Sequence, residues 1–161
     1  MNDVRDAGKG VKGVNDPQTR QLLENEIKEL IIPASQVAHV QLNNSLEHAL
    51  LVLIKSGYSA IPVLDKEYKI CGQISKTLIL ESILGMERIE YETLHEHQVV
   101  EVMNSKIPRM KDSDTFLRAL ELSINHPFVC IEDDAGRFVG ILTRKSILAI
   151  VYRYFRNKKT T

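Results

Sequence analysis

The sequence lacks tryptophan, has only two cysteines, and contains no apolar run near the roughly 20 residues that a membrane-spanning helix needs. Cys71 and Cys130 lie far apart in apolar, strand-like runs, which predicts buried, reduced thiols rather than a disulfide or a metal site. The N-terminal stretch MNDVRDAGKGVKGVNDPQTR has no hydrophobic segment typical of a secretory signal. We therefore expect a soluble, cytoplasmic protein that does not attach to a membrane.

Net charge is also missing, because 21 Lys and Arg residues balance 21 Asp and Glu residues. A general nucleic-acid binder needs surplus positive charge to neutralise phosphates, so we expect no nucleic-acid partner. No G-x-S-x-G, P-loop, HExxH or paired-carboxylate motif occurs, and the histidines are scattered rather than set at metal-ligand spacing. The sequence therefore predicts a non-enzymatic protein with no catalytic residues and no metal site.

Local signals define the start of the folded region. Residues 1–14 are rich in Gly, Lys and Asp, which predicts disorder. Asp16 followed by Pro17 is typical of a helix start, and apolar residues then recur at helical spacing through Ile32. Pro33 ends the predicted helix. A short strand is expected over residues 37–40.

The remaining elements occur twice in the same order. Ser45 predicts the cap of a helix that Gly57 ends. The first set comprises a helix over 46–55, strands over 60–64 and 70–74, and a helix over about 76–84. The second set comprises a short strand from Ile107, a helix over 115–124, strands over 128–132 and 138–142, and a helix over 143 to about 156.

This repetition indicates an internal duplication. Ala49 corresponds to Ala119, and Gly72 corresponds to Gly140. Each half is too small to bury its own strands, so we expect two halves that share one core, with helices outside. The predicted organisation is a disordered N-terminus over 1–14, an N-terminal helix with repeat 1 over 15–84, a linker over 85–101, repeat 2 over 102–157, and a tail over 158–161.

Two phrases resemble the CBS-domain pair, also called a Bateman module: SLEHALLVLIKSGYSAIPVLDKEYKICGQIS and DTFLRALELSINHPFVCIEDDAGRFVGILTRKSIL. The resemblance implies an α/β fold of two pseudo-symmetric CBS repeats, each β-α-β-β-α, packed as one module. The phrases QVAHVQ, LGMERIE and FVGILTRK further resemble the small stand-alone CBS proteins of Gram-positive bacteria that bind cyclic di-AMP. That group implies a cyclic di-AMP ligand, no cofactor, a homodimer, and a regulated partner enzyme such as the stringent-response nucleotide synthetase or pyruvate carboxylase.

The resemblance places an adenine pocket mostly in repeat 1. The backbone around Gln36, Val37 and Ala38 is expected to read the adenine edge, with small Ala38 letting the ring approach. Tyr58 is expected against the purine ring, because aromatic contacts stabilise bound bases. Ser59 and Ala60, which follow Tyr58, are also expected at the ligand, and Ile61 and Pro62 are expected to form an apolar wall. A core aromatic at the helix–strand turn is the alternative for Tyr58, while Ile61 and Pro62 are equally compatible with a place in the core.

The phosphate end is expected in repeat 2, at Thr143, Arg144 and Lys145. These residues follow an apolar strand and open a helix, whose N-terminal amides carry partial positive charge. Arg144 adds a guanidinium fork, and Lys145 adds a second positive charge. A solvated basic pair is the alternative, although it opposes the helix dipole.

One departure from the family pattern bears on the ligand. CBS sites for AMP or ATP usually carry an Asp three residues after the Thr, whereas Ser146 and Leu78 occupy these positions here. This favours a cyclic dinucleotide, while an AMP-, ADP- or ATP-sensing module and a ligand-free scaffold remain the alternatives. The second cleft, expected at 107–108, 126–128 and 75–76, lacks the Arg-Lys pair, so we expect one working site per chain.

Overall fold

The computed structural model describes residues 16–25 and 27–158, so the predicted disordered N-terminus and residues 159–161 lie outside the described residues. Two β-sheets form the centre of the fold, one per repeat. Helices flank both sheets. Within the described residues, no helix combines the length and apolar character needed to cross a bilayer.

The first sheet has the strand order β2-β3-β4. Its strands are β2 (Val40–Gln41), β3 (Ala60–Leu64) and β4 (Ile70–Ser75), and its helices are α2 (Leu46–Ser56) and α3 (Lys76–Ser82). The Ser45 hydroxyl accepts a hydrogen bond from His48 N at 3.1 Å, which caps α2. Gly57 adopts the left-handed conformation, with φ of 75°, and ends the helix. Both local predictions are confirmed.

The second sheet repeats this arrangement. Its strands are β5 (Arg109–Lys111), β6 (Phe128–Glu132) and β7 (Phe138–Thr143), and its helices are α5 (Phe116–Ser123) and α6 (Arg144–Lys158). In each repeat a parallel strand pair is followed by an antiparallel one. The predicted duplication and the α/β fold are therefore confirmed. The strand expected from Ile107 begins only at Arg109, because Pro108 has no N–H to donate.

The N-terminal segment differs from the prediction of one helix through Ile32. Helix α1 (Pro17–Glu24) ends early, a 3₁₀ turn covers Lys28–Leu30, and β1 (Ile32–Pro33) follows. Ile27 is fully buried in the core of the second repeat, while Ile32 pairs with Ile141 on β7. A straight helix cannot reach both places, so tertiary packing overrides the helical spacing of the apolar residues.

The strand predicted over residues 37–40 is also largely replaced. A 3₁₀ turn covers Ala34–Gln36, and Val37 N donates back to Ala34 O at 3.1 Å. Only Val40 remains in a strand, as the first residue of β2. Val37 and Ala38 therefore lie in a loop rather than on a strand edge.

Each half of the chain contributes a short segment to the sheet of the other half. β1 adds to the sheet of the second repeat, where it pairs with β7. After the short helix α4 (Val99–Val102), Asn104 pairs with Gln73 of β4, with backbone hydrogen bonds of 2.9 and 3.0 Å. A Cβ at Gly72 would lie 2.4 Å from Asn104 O, and one at Gly140 would lie 2.1 Å from Ile32 O. The absence of a side chain therefore allows each crossing.

Three apolar clusters make up the core. One fills each repeat, and the third lies between the sheets around Val37, Cys130 and Ile141. Both cysteines are free thiols, Cys130 buried and Cys71 half-buried. Burial raises the pKa of Cys130 to about 12 and also raises the pKa of Cys71. Both thiols therefore stay protonated at neutral pH.

Candidate functional site

A cavity of about 730 Å³ opens where the two repeats meet the N-terminal segment. The first repeat contributes Tyr58, Ser59 and Ala60. The N-terminal segment contributes Glu29, Leu30 and Ile32. The second repeat contributes Pro127, Phe128, Ile141, Thr143, Lys145, Ser146, Ala149 and Arg153. The cavity is therefore shared by three parts of the chain that are distant in sequence.

The turn between α2 and β3 forms one wall. Gly57 ends α2 in the left-handed conformation, and the chain turns directly into Tyr58 and Ser59. Ser59 O accepts a hydrogen bond from Lys76 N at 3.1 Å, which fixes the turn against the start of α3. Tyr58 lines the cavity and is 37% exposed, so it is not part of the buried core.

The end of β7 and the start of α6 form the opposite part of the lining. The Thr143 hydroxyl accepts a hydrogen bond from Ser146 N at 3.2 Å and shares another with the Ser146 hydroxyl at 2.8 Å. Thr143 therefore caps α6, a helix of 15 residues. The partial positive charge of this helix end and the Lys145 ammonium suit an anionic ligand group.

Five of the predicted site residues line this cavity, namely Tyr58, Ser59, Ala60, Thr143 and Lys145. The structure places the other six outside the lining. Val37 is buried in the same apolar cluster as Ile141, which does line the cavity. Ala38 packs against the core of the first repeat. Their role as ligand contacts stays a prediction, as does that of exposed Gln36.

The remaining three predicted residues contact other parts of the protein in this structure. Ile61 and Pro62 are buried within β3, and Ile61 belongs to the core of the first repeat. Arg144 points to the end of α5: its Nε donates to Ser123 O at 2.7 Å and its Nη2 to Ile124 O at 3.4 Å. The guanidinium satisfies carbonyls that helix geometry leaves without partners. Arg144 is therefore held at the end of α5 by two of its nitrogens, and its role as a phosphate contact stays a prediction.

Other lining residues were missed by the sequence analysis. Ala149 and Arg153 follow Lys145 at successive intervals of four, the spacing that places residues on one helix face, so this signal was available. Glu29 lies in the segment that was predicted as continuous helix, and no local signal marks its turn toward the cavity. Pro127 and Phe128, which were expected at the second cleft, line this cavity.

The described residues contain no cluster of three or more His, Cys, Asp or Glu side chains that could hold a metal ion. The chemistry available in the cavity is therefore that of apolar walls, one phenol ring, hydroxyl groups, Glu29 and two cations, Lys145 and Arg153. These groups can bind and orient a ligand that combines flat rings with negative charge.

Two α/β repeats that exchange strands around a shared cleft define a CBS-domain pair. The model of the CBS domain family matches residues 27–85 and 99–153, so the chain belongs to the CBS-domain family.

Among its relatives, cyclic di-AMP receptor B of Bacillus subtilis (strain 168) is 46% identical over 140 residues, which cover 87% of this chain and 95% of that protein. A CBS domain-containing protein of unknown function from Bacillus anthracis is 52% identical with a TM-score of 0.79, over 83% of this chain and 97% of that chain. The CbpB protein of Listeria monocytogenes in complex with c-di-AMP is 49% identical with a TM-score of 0.76, over 82% of this chain and 98% of that chain. The resemblance stated from the sequence is confirmed.

Proposed function

We propose that this chain is a non-enzymatic receptor that binds cyclic di-AMP in the cavity between its repeats and thereby regulates a partner protein. One observation carries the proposal: an exposed aromatic ring from the first repeat and two cations from the second line the same cavity. The names of the Bacillus subtilis relative and of the Listeria monocytogenes complex support this choice of ligand.

The size and lining of the cavity support a dinucleotide ligand. Ligand sites typically occupy about 300–1,000 Å³ and combine apolar walls with a few polar groups. The cavity of about 730 Å³ lies within this range, and Ile32, Ile141 and Phe128 supply apolar wall. Tyr58 offers a ring for adenine, as stacked aromatic side chains do in proteins that bind single strands.

The hydroxyl pair at the start of α6 supports a cyclic dinucleotide over AMP or ATP. Ser146 stands where those sites usually carry Asp, and its hydroxyl is already bonded to Thr143. In cyclic di-AMP each 3′ oxygen is esterified, so a carboxylate at this position would face a phosphodiester and repel it. Lys145 and the helix N-terminus instead attract that negative charge.

Helix surfaces outside the cavity support a homodimer. Large apolar side chains are exposed on α2, α5 and α6, namely Leu51, Ile54, Leu117, Leu148, Tyr152 and Phe155. Exposed apolar surface of this kind is typical of protein interfaces. We include in the proposal that two copies associate through these helices in the cytoplasm, and that the dimer is the form that meets the partner.

Calorimetric titration of the purified protein with cyclic di-AMP, AMP and ATP tests the ligand. We expect cyclic di-AMP to bind near one molecule per chain and more tightly than AMP or ATP. Preferential binding of AMP or ATP would identify an energy sensor instead. Failure of all three to bind would favour a scaffold that works without a ligand.

Regulation requires the ligand to distinguish two states of the complex, since a ligand shifts only an equilibrium that it biases. The candidate partners are the stringent-response nucleotide synthetase and pyruvate carboxylase. Each is to be mixed with the receptor with and without saturating cyclic di-AMP, and the affinity measured by titration. We expect the ligand to change the affinity for one of them. If cyclic di-AMP leaves the affinity for each of the two partners unchanged, this part of the proposal is contradicted.

A further inference from the structure

The α6 wall of the cavity carries two cations, Lys145 and Arg153. Ala149 lies between them on the same face of the helix, because residues four apart are neighbours on a helix surface. All three line the cavity. The side chain of Ala149 is small, so it fills little of the cavity between the two basic residues.

These two cations differ from other basic side chains of the same helix. Among residues 16–25 and 27–158, neither the Lys145 nor the Arg153 side chain makes a hydrogen bond or an ion pair. Arg144 donates to the carbonyls at the end of α5. Lys158 forms an ion pair with Asp16 at 2.7 Å, and Arg156 lies 5.9 Å from the ring of Tyr152. The two cations that line the cavity are therefore without a protein partner among the described residues.

The spacing of the two cations suits two anionic groups. An α-helix rises 1.5 Å per residue, so Lys145 and Arg153 are separated by roughly 12 Å along the axis of α6. A single phosphate would be a poor match for both. Cyclic di-AMP carries two phosphodiester groups, which its ring holds apart, whereas AMP carries one phosphate.

We propose that Lys145 and Arg153 each bind a different phosphodiester of a cyclic dinucleotide, which makes Arg153 a specificity-determining residue of this site. The inference rests on the proposed function and adds to it the assignment of the second phosphate. The face of α6 that lines the cavity then selects ligands with two separated negative charges. A mononucleotide engages only one of the two cations.

Titration of cyclic di-AMP against the wild type, Lys145→Gln, Arg153→Gln and the double variant tests the inference. We expect each single variant to bind about tenfold more weakly or worse, because each loses one charge-assisted contact. Contacts with separate groups act independently, so the double variant should lose the product of the two single factors to within about twofold. Arg156→Gln is the matched control on the same helix, and it should bind like the wild type.

Two results would overturn the inference while the proposed function stands. One is an affinity of Arg153→Gln within about twofold of the wild type. The other is a double variant no weaker than the weaker single variant, which would mean that both cations hold the same phosphate. Failure of the wild type to bind cyclic di-AMP would instead overturn the proposed function itself. Thermal unfolding checks that each variant is folded, and Arg153→Met replaces Arg153→Gln if the latter is destabilised.

Discussion

At the residue scale, neighbouring side chains of the same chemical type have different roles. Arg144 and Lys145 are adjacent basic residues at the start of one helix, and the sequence alone offers no means to distinguish them. In the structure the Arg144 guanidinium caps the end of α5, whereas Lys145 lines the cavity. The acceptor carbonyls of Arg144 come from a segment distant in sequence, so only the fold reveals the difference.

Substitution of Arg144 should therefore affect mainly the stability of the fold, whereas substitution of Lys145 should affect mainly ligand binding. Arg144→Met should lower the free energy of unfolding by about 1 kcal/mol, because the carbonyls of Ser123 and Ile124 lose their donor. Lys145→Met should leave the stability near that of the wild type and weaken cyclic di-AMP binding about tenfold. Urea denaturation and calorimetric titration measure the two effects. A loss of stability in Lys145→Met with unchanged binding would contradict the assignment.

Glycine at a crossing point has a steric role that differs from the role of glycine in a turn. A Cβ at Gly140 would lie 2.1 Å from the backbone oxygen of Ile32, and Gly140→Ala should cost about 2 kcal/mol through this overlap. Gly136 is a matched control, since its φ is 79° and nothing lies within 4 Å of its Cβ position. Gly136→Ala should cost only about 1 kcal/mol of backbone strain. Equal losses in urea denaturation would argue against the overlap.

At the scale of elements, local signals predicted what local chemistry determines. The cap at Ser45, the stop at Gly57 and the strand Phe128–Glu132 were all predictable from a few adjacent residues. The path of residues 27–33 was not, because the apolar spacing there also fits a helix and the burial of this segment depends on the distant strand β7. The part of the site on this segment, including Glu29, was missed for the same reason.

The N-terminal helix is fastened to the end of α6 by a polar cluster. The Asp16 carboxylate pairs with the Lys158 ammonium at 2.7 Å and accepts from the Tyr154 hydroxyl at 3.0 Å, while Thr19 bonds to both Asp16 and Tyr154. The hydrogen bond from Lys158, followed by those from Thr19 and Tyr154, holds the pKa of Asp16 well below its usual range. The Asp16 carboxylate is therefore charged at neutral pH and becomes protonated only in acid.

The pH dependence of this contact gives a prediction. A lowered carboxyl pKa stabilises the fold above the usual value of about 4, and that contribution disappears as the pH falls below it. Asp16→Asn keeps a good helix cap but removes the charge, so it should speed hydrogen exchange of α1 amides at pH 7. The hydrogen-exchange rates of the variant and of the wild type should converge in acid, once Asp16 is protonated in the wild type. A difference that persists unchanged at low pH would count against the ion pair.

At the scale of the whole molecule, neither sheet is complete without chain from the other half. β1 extends the second sheet, and Asn104 extends the first. We therefore expect the two repeats to unfold in one transition, with β3 and β6 amides losing exchange protection at the same urea concentration. Gly140→Ala, although it lies in the second sheet, should lower the midpoint of β3 as much as that of β6. Separate midpoints would contradict this coupling.

The cavity lining has one further consequence for synthesis of the protein. The first lining residue is Glu29 and the last is Arg153, so the three contributing parts are spread over almost the entire described length of the chain. During translation the pocket cannot be assembled until α6 has left the ribosome. A prematurely terminated product that lacks α6 would have no α6 wall, so it could not form this cavity.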